Sequence, residues 1–358
     1  MRIGNREYAR REIEHRIGNI SQLGGTRHVE LADGRSRGVR AVEFDTGAGL
    51  RFTVLPERGM DIADFSYRGL GLVYHTPGTI AHPAYHDPAG FEWLRTFFGG
   101  LLTTCGLTYF GDPGRDGEEE LGLHGRYSAL PASRVCDLSR WEGDEYILEL
   151  TGWVEEASLF GDKLRLRRSI VTRLGSKQVR IRDTVENFGG SASPFTILYH
   201  VNVGFPLLDE ASELICTSAS IEPYDERSRA QLADVFRFQG PQNGFPNLDY
   251  LHTMARDRNG YAWAAMINRE LAGGLGLSLG FHTASLPFLN EWKMLSEVDY
   301  VVGIEPVNTI ILNRAELRRR ERLPFLGAGE SRTMELEIGV LEGEEVIRDF
   351  EAMVHGVV

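Results

Sequence analysis

Alternation of apolar with charged residues at a period of two recurs along this chain, and it restricts the fold more than any other feature. Val42 and Phe44 alternate with Glu43 and Asp45, a Thr46-Gly47-Ala48-Gly49 turn follows, and Leu50, Phe52 and Val54 then alternate with Arg51 and Thr53. Successive side chains of a strand point to opposite faces, so this stretch spells a hairpin with one buried face. The pattern returns in residues 146–150, 164–167, 179–183 and 334–338. The arginines and glutamates at alternate positions read as the solvated faces of antiparallel strands. No segment carries a sustained helical stripe, no Gly-rich phosphate loop follows a strand, and no internal repeat stands out. These signals predict an all-β chain of antiparallel sheets, one domain over residues 1–358. Helix is expected mainly over 5–18, within an N-terminal helical extension covering 1–30.

Composition sets the partners this chain can take. At 358 residues, with 42% hydrophobic and 10% aromatic residues, it can bury a sizeable core. Its 39 basic against 51 acidic residues leave a net charge of −12. Such a surface repels phosphate backbones and anionic lipid, which excludes nucleic acid and membrane as partners and mildly disfavours anionic substrates. Cys105, Cys136 and Cys216 form no CxxC pair and are odd in number, the usage of reduced thiols in a cytoplasmic protein. Cys105, in Thr103-Thr104-Cys105-Gly106, reads as a small buried residue rather than a nucleophile. The charged start Met1-Arg2-Ile3-Gly4-Asn5-Arg6-Glu7 shows no signal peptide, and no apolar run reaches the length of a membrane span. The sequence leaves room for a homodimer.

Three residues have contexts suited to acid/base chemistry. Glu305 closes the apolar run Val301-Val302-Gly303-Ile304 and is followed by Pro306. Burying a carboxylate is costly and raises its pKa toward usefulness as a base, although an ion pair with an arginine is the structural alternative. His200 follows a β-run, with Asn202 two residues on and so on the same strand face; a hydrogen-bonded core histidine is the alternative. His124 sits in Gly122-Leu123-His124-Gly125-Arg126, where glycines let backbone approach a ligand, or where a turn histidine merely bonds a local carbonyl. Trp292 can stack on the apolar face of a sugar ring and Lys293 can bond sugar hydroxyls, with core packing the competing role for the tryptophan. Residues 74–96 and 108–122 are long and irregular, as functional loops often are. His75, His82 and His86 lie in the first of them, with spacings that match no metal motif.

Taken in order, Leu55-Pro56-Glu57-Arg58-Gly59-Met60-Asp61-Ile62, Gly100–Leu107, Gly122–Arg126, Tyr199-His200-Val201-Asn202-Val203-Gly204, Gly303-Ile304-Glu305-Pro306 and Leu326–Ser331 resemble the aldose 1-epimerase (galactose mutarotase-like) superfamily. The likeness runs from about residue 17 to 345 and is nearest to a bacterial branch described as a domain of unknown function. It implies a β-supersandwich of antiparallel sheets with a sugar cleft on one concave face, acting on a monosaccharide without cofactor or metal. By the same likeness, Glu305 corresponds to the general base that takes the anomeric proton. His200 corresponds to the acid that protonates the ring oxygen, and His124 to the histidine supporting the developing charge. Arg58, Arg126, Asn202, Trp292 and Lys293 form the implied substrate-binding set, with Asp249 the nearest counterpart of the family's binding aspartate. Val201-Asn202-Val203-Gly204-Phe205-Pro206 departs from the aromatic-rich sequence that follows the superfamily's second histidine. Three functions fit: an anomer-interconverting isomerase, a non-catalytic carbohydrate-binding domain, and a sugar isomerase or lyase that uses the same base on a carbon-bound proton.

Overall fold

The computed structural model describes residues 1–3 and 6–358. Two large antiparallel sheets face each other across one continuous apolar core. The larger, of eleven strands, runs edge to edge through Ser218–Pro223, Leu248–Met254, Phe288–Leu295, Tyr300–Val307, Thr196–Gly204, Leu102–Leu107, Asp61–Tyr67, Leu50–Leu55, Arg40–Asp45 and Gly25–Glu30, with Leu70–Gly71 paired to Asp61–Tyr67. The smaller, of nine, contains the longest strands, Glu145–Ala157, Lys163–Arg173, Gln178–Asn187 and Ser331–Glu342. The antiparallel sheets are those the alternating sequence predicts, and their pairing face to face is the supersandwich that the resemblance implies.

The period of two accounts for how the sheets bury one face. In Lys163–Arg173, Leu164, Leu166, Arg168 and Ile170 are buried, while Arg165 and Arg167 face outward and bond Glu155 and Glu186 at 2.6 and 2.8 Å. Arg180 likewise reaches Glu337 at 3.0 Å across the neighbouring pair. These cross-strand ion pairs are the solvated faces read from sequence. The hairpin over 40–55 forms with Phe44 opposite Phe52, ring centroids 4.4 Å apart.

One polar cluster interrupts the core and ties the sheets together. From the smaller sheet, Arg168 donates to Asp183 at 2.7 and 2.9 Å. It also reaches across to Asp61 and Thr104 of the larger sheet, each at 2.9 Å. Tyr199, next to His200, donates to Asp183 at 2.8 Å. A buried guanidinium so enclosed by carboxylates is the arrangement that repays its desolvation.

The N-terminal stretch is less helical than its charge pattern predicts. Only Arg10–Glu14 is α-helical, followed by a 3₁₀ turn at Ile20–Gln22 and a strand from Gly25; Asn5, in the predicted helix, lies outside the described residues. Ile13 is the one buried side chain of that helix, too little apolar surface to hold a longer one. Glu344–His355 forms a further helix, packing Ile347, Phe350 and Val354 against Ala265 and Ile267. Among the described residues no helix is long and apolar enough to cross a membrane.

Candidate active site

Four neighbouring strands of the larger sheet place polar side chains on one outer surface. Register sets Asn290 opposite Glu305 and Asp249 opposite Trp292, while Thr196–Gly204 brings His200 from the other side of Glu305. His124 enters from the loop that follows Glu119–Leu121. Its backbone has φ +59°, a conformation costly for any side chain except glycine's hydrogen, and is held by Nδ-independent contacts: its N–H donates to Gly111 O at 3.0 Å and its carbonyl accepts from Gly106 N at 3.2 Å. Its ring lies 5.8 Å from that of His200 and 4.7 Å from that of Trp93. Together with Trp292, Phe97 and Leu123 these groups line a cavity of about 430 Å³, within the range of small-molecule sites.

At the floor, His200 Nε2 stands 3.2 Å from Glu305 Oε1. The contact has the length of an ion pair but lacks hydrogen-bond alignment: Glu305 Oε1 and His200 Nδ1 are buried without a hydrogen-bond partner. Glu305 Oε2 accepts from Asn290 Nδ2 at 2.9 Å, and the same amide donates to Asp249 Oδ1 at 3.1 Å. Asn247 Nδ2 donates to Asp249 Oδ2 at 3.1 Å, and Asn247 Oδ1 accepts from the Trp292 indole. Gly303, two residues before Glu305 on the same face, makes room for the carboxylate, since a Cβ there would stand 2.1 Å from Oε1.

Burial dominates the electrostatics. It pushes Glu305 well above the usual carboxylate range, helped by Asp249 and opposed by Asn290. It pulls His200 well below the usual imidazole range, with His124 adding to the effect. Burial alone lowers His124 to about 4. Asp249 is raised to about 6, again chiefly by burial, with its two amide partners opposing. Each member of the Glu305–His200 pair therefore favours its neutral form. A neutral acid beside a neutral imidazole holds as many protons as a carboxylate beside an imidazolium, so the two states differ by one transfer across the contact.

Several residues expected at the substrate lie elsewhere. Arg58 is 1% exposed and spends its guanidinium on the carbonyls of Ser128, Ala81 and Thr96 at 2.6–2.9 Å, fixing three loop segments rather than meeting a ligand. Lys293 alternates with Trp292 along one strand and so points into the sandwich, where its ammonium donates to the carbonyls of Asp234, Val235 and Arg237. Asn202 is buried beneath the site and donates to the carbonyls of His200, Gly99 and Gly100 at 2.9–3.2 Å. Arg126 sits outside the cavity beside Glu119 and Glu156. Trp292 is the member of that set that lines the cavity. In the loop 74–96, His75 pairs with Asp64 and His82 accepts from Ala84 N, and no three histidine, cysteine or carboxylate side chains among the described residues converge as a cation's ligands would. Cys105 is buried, and burial raises its thiol pKa.

The comparisons with known proteins agree with this architecture. A family model described as a domain of unknown function, DUF4432, matches residues 36–340. No curated protein matches the chain significantly. Among solved structures, a protein provisionally described as an aldose 1-epimerase, from Klebsiella pneumoniae subsp. pneumoniae MGH 78578, is 24% identical with a TM-score of 0.87 over 96% of this chain and 94% of its own. A galactose mutarotase-like protein from Clostridium acetobutylicum is 12% identical with a TM-score of 0.64, over 90% of this chain and 100% of its own. A galactose 1-epimerase from Lactobacillus acidophilus NCFM is 13% identical with a TM-score of 0.59 over the same shares. At these identities the likeness is one of fold, and the fold is the galactose mutarotase-like supersandwich.

Proposed function

This chain belongs to the DUF4432 family, and from its galactose mutarotase-like fold and the site's geometry we propose that it is an isomerase interconverting the anomers of a free monosaccharide by acid/base ring opening. The observation that carries the reading is the contact of Glu305 Oε1 with His200 Nε2 at the floor of a cavity of ligand size. In the reactive arrangement the shared proton is on His200. Glu305 takes the proton of the anomeric hydroxyl, the O1–H electrons form the C1=O1 bond, the C1–O5 bond breaks, and O5 takes the proton from His200. Opening thus ends with neutral glutamic acid and neutral imidazole, the forms burial favours. Rotation about C1–C2 and reversal of both transfers close the other anomer, with protons and electrons balanced. Trp292 and Trp93 offer aromatic faces to the ring, while Asn290 holds Glu305 through Oε2 and leaves Oε1 without a partner.

A carbohydrate-binding domain would share the cavity and the aromatic walls, but gains nothing from a matched acid and base buried in contact. Exchange NMR or polarimetry on a panel of freshly dissolved monosaccharides separates the readings. Acceleration of anomer exchange for at least one sugar is the expected result. Binding of sugars with no acceleration for any of them would favour the binding domain instead.

A further inference from the structure

The mouth of the cavity carries charges that the proposed ring-opening step does not use. Asp112, from the loop 108–122, and Asp225, at the N-cap of the helix Glu226–Ala230, both line it, and Tyr224, next to Asp225, donates to Asp112 at 3.3 Å. Asp249 lies deeper, on the strand face beside Asn290. Arg227 is the one lysine or arginine among the described residues that lines the cavity, and its Nε is taken up by Asp225 at 2.9 Å. Three carboxylates therefore face one guanidinium that is already paired. Asp249 has no cationic partner at all, since its oxygens accept from the amides of Asn247 and Asn290. The same cavity is lined by Glu305, whose buried Oε1 has no hydrogen-bond partner and is free to accept one from a ligand.

We propose that Asp112 and Asp225 act as a charge filter on this cavity, admitting neutral and ammonium-bearing sugars and rejecting sugars that carry a phosphate or a carboxylate. A walled, low-dielectric cavity focuses the field of the carboxylates at its rim, and the net charge of −12 adds to it from outside. The field reaches Asp249: Asp112 and Asp225 are secondary contributors, after burial, to its raised pKa. An anionic sugar would have to bring its charge past both carboxylates, and the one guanidinium lining the cavity is already paired with Asp225. An ammonium-bearing sugar would find Asp249 without a cationic partner.

The inference rests on the sugar-binding part of the proposed function, and its test is chosen so that the two can fail separately. Dissociation constants by titration calorimetry, and kcat/KM by exchange NMR, are measured for one hexose, its 2-amino analogue, its 6-phosphate and its uronic acid. The phosphate and the uronate should bind at least about tenfold more weakly than the hexose at low salt, with a gap that narrows near 1 M salt, where the screening length falls to about 3 Å. The amino sugar should bind as well as the hexose or better. In Asp112→Asn/Asp225→Asn the ratio of phosphate to hexose affinity should rise about tenfold, a readout normalised against any general loss in the variant. Equal affinity for hexose and hexose 6-phosphate in the wild type, or an unmoved ratio in the double variant, would overturn the filter. Sugars bound in the predicted order but never interconverted would overturn the isomerase reading and leave the filter standing. Binding of no sugar of any charge would overturn both.

Discussion

Replacing Arg168 with methionine tests how the two sheets are held together behind the site. The guanidinium is wholly buried and satisfies two wholly buried carboxylates, Asp183 through two donors and Asp61 through one, with Thr104 as a further partner. Methionine fills much of the same volume, so the cavity term is small and the loss is electrostatic. Removing one partner of a buried ion pair costs about 3–5 kcal/mol because the other charge is left uncompensated. At roughly 2 °C per kcal/mol, the low end suited to a chain of this length, the melting temperature falls by about 6–10 °C. Burial already lifts Asp61 to about 6 in spite of Arg168, so loss of the cation raises it further. Adding Asp183→Asn removes one of the stranded charges, and R168M/D183N should therefore be more stable than R168M alone. Calorimetry and urea unfolding give both comparisons. A loss under about 1 kcal/mol in R168M, or a double variant less stable than the single one, would refute the view that charge pairing is what Arg168 contributes.

Three other perturbations follow from the site. His124→Gly and His124→Ala should both lose turnover, but the glycine variant should be the more stable by about 1 kcal/mol in urea unfolding, because φ at this position is +59° and only glycine adopts it without strain. Burial lowers folded His124 to about 4 from an unfolded value near 6.5, so between those values the unfolded chain binds more protons. The stability that neutral His124 allows is therefore complete above pH 6.5 and is lost as the pH falls toward 4. The unfolding midpoint should drop less between pH 7 and pH 4.5 in His124→Gln than in the wild type. Gly303→Ala should displace Glu305, since its Cβ would sit 2.1 Å from Oε1, and kcat should fall at least about tenfold with a smaller change in sugar affinity and a melting temperature near that of the wild type.

Much of this was legible in the chain because strands translate sequence parity into faces. The alternation in 164–167 and 179–183 marks buried and solvated positions correctly, and the contexts of His124, His200 and Glu305 single out three residues that the structure gathers into one cavity. Parity also separates Trp292 from Lys293, since adjacent strand residues cannot face the same cavity. It puts Asn202 on the His200 face, but the fold covers that position with the carbonyls of Gly99 and Gly100. Arg58 shows a different limit: its type suggests a ligand, whereas its partners are backbone carbonyls from three distant segments, which no local pattern reveals. Nothing in the local sequence singles out Asn290 or Trp93. Asn290 becomes visible only once its strand is laid in register against Glu305, and Trp93 lies within the loop 74–96 whose length and composition mark it without naming the residue that matters.

The central claim is that Glu305 exchanges the anomeric proton, and Glu305→Gln tests it most directly. Glutamine keeps the shape and the contact with Asn290 but accepts no proton, so kcat for anomer exchange should fall at least about a thousandfold while the sugar still binds within a fewfold of the wild-type affinity. His200→Asn should show the same division between turnover and binding. Wild-type exchange rates in E305Q, on a sugar the wild type demonstrably interconverts, would contradict the assignment of Glu305 as the base.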